Sequence, residues 1–168
     1  MRQLAAIMFS DMFGYTALMQ ENEQLAKIKH RRLKEVLETS VSACHGRILQ
    51  YYGDGALSIF NSAIDGVNCA VKIQQALQQE PKVDLRIGIH TGDISIENET
   101  IYGDGVNLAS RIESLAVPGS IFISEKVFDE IKNQENLAAR EMGYFEFKNI
   151  IKPVRIFAID NKGLVVPA

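Results

Sequence analysis

Tryptophan is absent from this chain of 168 residues, and it has only two cysteines, three histidines and four prolines. Each scarcity removes a class of protein. Cys44 and Cys69 fall in segments with helical patterning and have no paired spacing, so they read as small buried hydrophobes of a reducing compartment and not as a disulfide framework. His30, His45 and His90 stand at no ligand-like interval, which argues against zinc and gives each a structural role. The longest apolar runs, such as Leu4 to Phe9, are too short to cross a bilayer, and no basic-then-apolar leader precedes them. A cytoplasmic domain without a membrane segment is expected. The formal charge of −3 lacks the excess of Lys and Arg with which a sequence-independent nucleic-acid binder displaces counterions, so no nucleic-acid partner is expected.

What is present suits one globular domain: 46% of the residues are hydrophobic and 23% charged. Residues 1–160 read as that domain and 161–168 as a tail or linker to whatever is fused to it. Arg2 to Ser10 suits a buried strand. Glu21 to Cys44 carries Leu25, Ile28, Leu33, Val36, Leu37 and Val41 at helical intervals, with Gly46 as its cap. "LQYYGDGALSIF", Leu49 to Phe60, is a hairpin turning at Gly53-Asp54-Gly55. Ala63 to Gln79 is a second helix that ends before Pro81.

Asp84 to His90 alternates, with Leu85, Ile87 and Ile89 on one face and Arg86 and His90 on a wetter one. A turn is expected at Asn98 to Thr100. Asp104 to Val117 is a helix, Ser120 to Ser124 a strand, Lys126 to Lys132 a short helix, and Tyr144 to Phe147 and Val154 to Ile159 strands. The order β-α-β-β-α-β with an added helix and strands predicts an α+β fold on the ferredoxin-like split βαβ plan, an antiparallel-rich sheet with helices on one face.

Two constellations stand out. Asp11 ends the first strand in "FSDMFGYT", and Asp54 sits at the hairpin tip. Taken singly, they read as a helix N-cap and a turn former. The split βαβ sheet brings such positions together, however, and two carboxylates holding one or two Mg²⁺ are the simplest reason for both. In "YGDGVNLASRIES", Asn107 and Arg111 share the helix face opposite Leu108, Ala109 and Ile112. Such a pair is either a solvated face or a means to orient a ribose and meet charge on phosphorus.

"FSDMFGYT", "YYGDGALSIF", "RIGIHTGD", "IYGDGVNLASRIES" with "PGSIFIS" after it, and "YFEFKNIIKPVRIFAI" occur in that order. Together they resemble the catalytic domain of the class III nucleotidyl cyclases, the adenylate and guanylate cyclases, over nearly the whole chain. The resemblance implies that Asp11 and Asp54 bind two metal ions per site, Mg²⁺ or Mn²⁺, and that the turn at Phe13 and Gly14 receives the phosphates. It makes Asn107 and Arg111 the catalytic pair that positions ribose and stabilises the transition state. Lys148 matches the lysine on the terminal phosphates, although the family usually has Gly where this chain has Asn149. The family's sites lie between two such domains, one giving the carboxylates and the other giving Gln50, Thr100, Asn107, Arg111 and Lys148, so a homodimer with two equivalent sites is implied, governed by fused or partner domains.

Base choice falls to Gln50 and Thr100. In the family, a Lys commonly stands at the first position in adenylate cyclases and a Glu in guanylate cyclases. A Gln amide both donates and accepts, so it can meet either purine. Thr100 favours adenine, and the expected activity is conversion of ATP to cyclic AMP and pyrophosphate. A cyclase acting on GTP or another nucleotide, and a non-catalytic regulatory domain of the same fold, are the alternatives. The diguanylate cyclases fit less well, because "YYGDGALSIF" lacks the second acid and following aromatic of their signature turn.

Overall fold

The computed structural model describes residues 2–98 and 100–168. Among these, eight strands and five helices follow in the order β1 (Arg2–Met12), α1 (Tyr15–Glu21), α2 (Glu23–Ala43), β2 (Arg47–Tyr52), β3 (Gly55–Phe60), α3 (Ala63–Leu77), β4 (Leu85–Glu97), β5 (Thr100–Tyr102), α4 (Asp104–Leu115), β6 (Ile121–Ser124), α5 (Glu125–Ile131), β7 (Ala139–Phe145) and β8 (Val154–Ile159). One sheet takes all the strands, ordered β2-β3-β1-β4-β6-β8-β7 with β5 hydrogen-bonded to β4. Every pair is antiparallel except β4 with β6. With β3 lying between β1 and β2, the segment β1-α2-β2-β3-α3-β4 is the expected split βαβ unit.

Helix starts follow local chemistry. The Asn22 side chain accepts from Leu25 N at 3.2 Å to open α2, and Ser62 accepts from Asp65 N at 3.3 Å to open α3. The expected helix from Glu21 therefore divides at Asn22, and the short α1 before it has no buried residue, hence no apolar stripe to announce it. The cap of α2 also differs from expectation. His45 takes the left-handed conformation, with φ 63°, while the Gly46 amide donates to Val41 O. Gly46 is needed for another reason: a Cβ there would lie 2.3 Å from the Phe60 ring.

Alternation along the strands splits the core. Ala6, Met8, Phe60, Ile87 and Ile89 pack with α2, α3 and α5, whereas Ala5, Ile7, Leu57 and Ile94 on the other face pack with Ala109 of α4. Leu108 and Ile112 of α4 extend this second layer over Phe122, Ile156 and Ala158. The expectation of helices on one face thus holds for α2, α3 and α5, and α4 is the exception. Gly88 explains how α4 comes so near: a Cβ there would lie 2.3 Å from Glu113 N.

Cys44, the C-cap of α2, and Cys69 of α3 are free and buried. Burial first, and the neighbouring Cys44 next, push the Cys69 thiol well above its usual range. At the β4–β5 turn Asn98 is left-handed, with φ 51°; Glu99, within the turn expected at 98–100, lies outside the described residues. β7 begins earlier than expected because a bulge between Glu141 and Gly143 breaks the alternation that marks a strand. Residues 161–168 form no helix or strand, yet Val165 N donates to Gly119 O at 3.0 Å and Leu164 packs on the core. Among the described residues no helix is long and apolar enough to cross a membrane.

Candidate active site

Asp11 lies where β1 runs out, flanked by Gly55 of β3 and Arg86 of β4 in register. The chain beyond is tied to both neighbours, Met12 N to Asp54 O and Phe13 N to Asp84 O, each at 2.8 Å. His30 of α2 donates from Nε2 to Gly53 O at 2.8 Å and so holds the hairpin tip that carries Asp54. Gly55 lets this tip close onto β1, since a Cβ would stand 2.0 Å from Ser10 O. Backbone packing, and not a chance of surface side chains, therefore brings Asp11 and Asp54 to one place.

A cavity of about 340 Å³ opens there, lined by Phe9, Ser10, Asp11, Tyr52, Asp54, Val106, Asn107, Ser110 and Glu113 among others. Asp11, Asp54 and Asn107 thus share one cavity within a single chain, whereas the resemblance implies that Asn107 serves the carboxylates of a second domain. Phe9 and Tyr52 stack at 6.0 Å between ring centroids and give the cavity an apolar flank. Arg111, one turn beyond Asn107, donates from Nη1 to the carbonyl of Lys148, which ties α4 to the loop between β7 and β8. The Lys148 side chain itself is exposed. Gly14 is left-handed, with φ 75°, and Phe13 stands exposed beside it.

Gln50 and Thr100 are exposed on β2 and β5. Their neighbours Leu49 and Ile101 join the same apolar cluster on the α4 face of the sheet.

Two residues of this site were not singled out in the sequence as functional. Arg86 donates from Nε and Nη2 to both oxygens of Asp11, at 3.1 and 3.0 Å, and its Nη2 lies 3.4 Å from Glu113 Oε2. The Asp11 hydrogen bond raises the Arg86 guanidinium above its already high range. Glu113 is buried, and burial first, with Asp11 next, pushes its carboxyl up to about 8. The placement of Arg86 on the wetter face of β4 was a usable signal; Glu113 gave none, since it follows Ile112 directly.

Three carboxyl groups thus face one guanidinium. Ser10 Oγ and Glu113 Oε2 are buried there without hydrogen-bond partners. Asp11 and Asp54 are the two carboxylates that could hold a hard divalent cation here. Among the described residues no group of three or more Asp, Glu, His or Cys is arranged to hold a metal ion by itself.

The adenylate and guanylate cyclase catalytic domain matches the chain over residues 2–160, and the protein belongs to that family. The putative adenylate cyclase 3 of Rhizobium meliloti (strain 1021) is 40% identical over 164 residues, covering 93% of this chain and 28% of that relative. The chain therefore spans little more than a quarter of that protein. Among solved structures, an adenylate/guanylate cyclase/hydrolase from Silicibacter pomeroyi superimposes with a TM-score of 0.83 at 32% identity, over 96% of this chain and 99% of that one. The adenylyl cyclase CyaB from P. aeruginosa does so with a TM-score of 0.87 at 25% identity, over 98% of each chain.

Proposed function

We propose that this domain converts ATP to 3′,5′-cyclic AMP and pyrophosphate at two equivalent sites shared across a homodimer. The observation that supports the reading is the meeting of Asp11 and Asp54 at one cavity. Asp11 and Asp54 would hold Mg²⁺ or Mn²⁺, two per site. When bound, the metal supplies Lewis-acid activation of the ribose 3′-hydroxyl and neutralisation of phosphate charge.

The protein's own groups orient and neutralise. In-line attack of the 3′-oxygen on the α-phosphorus needs the ribose held, and the Asn107 amide is the group for that. Arg111 keeps donors beyond the one it gives to the Lys148 carbonyl, and these meet charge on the α-phosphate oxygens. Lys148 and the turn at Phe13 and Gly14 receive the outer phosphates. Asn107, Arg111 and Lys148 come from the second chain, and from that chain Gln50 and Thr100 read the base. Because the Gln50 amide both donates and accepts, ATP is preferred with modest selectivity, and GTP is the second substrate.

The test is to incubate the purified domain with ATP, GTP, CTP and UTP, with Mg²⁺ and with Mn²⁺, and to resolve the products by chromatography. Cyclic AMP as the main product, reduced at least about a hundredfold in Asp54→Asn, is the expected result. Another cyclic nucleotide would overturn only the base assignment. No cyclic product at concentrations where the domain is dimeric would leave a regulatory, non-catalytic domain.

A further inference from the structure

A second cavity, of about 540 Å³, lies between β4, the start of α4 and the residues that follow β6. Its floor is set by alternation along β4, which turns Arg86, Gly88 and His90 towards α4. Gly88 lies under Glu113, and His90 lies under Gly105, where a Cβ would stand 3.4 Å from His90 Cδ2. Gly92 borders the same ring, its absent Cβ 3.8 Å from Nε2. Gly92, Gly105 and His90 all line the cavity.

His90 is 6% exposed. Nδ1 bonds Ser124 Oγ at 2.7 Å, and Nε2 has no hydrogen-bond partner among the described residues. A buried imidazole with one nitrogen open to a cavity is a polar group awaiting a partner. If the Ser124 hydroxyl donates to Nδ1, Nε2 carries the proton and donates into the cavity. Lys126 lines the same space and forms no ion pair among the described residues. It adds to burial in holding the imidazole down to about 4, hence neutral at pH 7.

The third contribution comes from α4, whose N-cap Gly103 supplies no side-chain acceptor. The first-turn amides of a helix lack intrahelical partners and carry its positive end. Two carboxylates oppose these donors. Asp93 is already paired with Arg2 at 3.4 Å, and Asp104 is exposed to water. The helix end then tips the balance towards an anion. Ile94, Leu108 and Ile150 supply an apolar wall, and the half-exposed Tyr102 ring stands at the rim. The volume falls in the range of small-molecule sites.

We propose that this cavity is a ligand site distinct from the one at Asp11 and Asp54, taking a small organic anion. Its carboxylate or phosphate group sits between His90 Nε2, Lys126 and the first turn of α4, and its apolar body lies on Leu108 and Tyr102. Asn107 stands one turn into the same helix, so occupancy acts on the helix that carries the cavity wall facing Asp11.

The test is a titration followed by histidine ring NMR on the whole 168-residue chain at constant ionic strength. Benzoate, phenyl phosphate and inorganic phosphate are the probes. A saturable shift of the His90 signal, with His30 and His45 unmoved, is expected at millimolar benzoate or phenyl phosphate, and the tighter of the two identifies the anionic group. Inorganic phosphate, without an apolar body, should bind at least about fivefold more weakly. Lys126→Met, at an exposed position, should weaken binding about tenfold. Gly92→Ala, whose methyl would make only ordinary contacts beside Nε2, should weaken it too. No saturable His90 shift with any probe, or binding unchanged in both variants, would overturn the assignment. None of these readouts uses turnover, so they stand or fall apart from the cyclase reading.

Discussion

Arg86 grips both oxygens of Asp11, Nε to Oδ1 at 3.1 Å and Nη2 to Oδ2 at 3.0 Å, with Glu113 3.4 Å away on its other side. A two-point bond of this kind is the strongest type of ion pair and fixes the carboxylate plane. The arginine is three-quarters buried, so the charges of Asp11 and Asp54 meet a counter-ion that water screens only in part.

Replacing that guanidinium should therefore weaken the fold. Arg86→Gln is expected to lower stability by about 1–3 kcal/mol at pH 7, because it leaves buried acceptors unmet. The same change removes the cation that competes for Asp11. Calorimetric titration with Mn²⁺ should then show binding about tenfold tighter than in the unmodified chain. Weaker or unchanged Mn²⁺ binding would show that Asp11 is not a metal ligand.

Gly88 sets how closely α4 approaches β4. A Cβ there would fall 2.3 Å from Glu113 N and 2.5 Å from its Cα, and backbone cannot swing aside as a side chain can. Gly88→Ala is expected to cost about 1–3 kcal/mol by urea denaturation. It should also abolish turnover while leaving Asp11 and Asp54 in place, since Asn107 and Arg111 ride on the displaced helix. Unchanged stability would mean that the second layer is looser than its packing indicates.

His90 gives the fold a dependence on acid. Its imidazole is held down to about 4 by burial first and Lys126 next, against 6.5 in the unfolded chain. The unfolded state thus takes up a proton between pH 6.5 and 4 that the folded state refuses, so stability is complete above 6.5 and falls as the pH drops through that window. His90→Gln should flatten this part of the curve by about 2–3 kcal/mol relative to the unmodified chain. Denaturation midpoints at pH 7, 5.5 and 4.5 measure it, and parallel curves for the two proteins would refute it.

Much of this could be read in the sequence, and the part that could not has a physical reason. The stripe Leu33, Val36, Leu37 and Val41 marked α2 because that helix buries one face, whereas α1 buries no residue and left no periodicity. Asp11 and Asp54 were legible because each stands where a strand gives way to a turn, Gly14 following three residues after the first and Gly53 and Gly55 flanking the second. The grip of Arg86 on Asp11 joins positions 75 residues apart and depends on register between β1 and β4, which composition does not encode. The side of the sheet taken by α4 was equally hidden. Its apolar stripe looks the same whichever face it covers, and only the glycine at position 88 hinted that a helix must come close.

Gln50 offers the sharpest test of substrate choice, because a single change converts an indifferent amide into a group that can only donate or only accept. It lies exposed on β2, so substitution should leave the fold intact. A lysine there can only donate and a glutamate can only accept, and fixed hydrogen-bond character is what lets a site reject the wrong base. Gln50→Lys is expected to raise the ratio of kcat/KM for ATP over GTP about tenfold, and Gln50→Glu to move it about tenfold the other way. The unmodified domain should fall between the two. If both variants keep the original ratio, Gln50 does not touch the base, and selection rests with Thr100 or with the apolar flank formed by Phe9 and Tyr52.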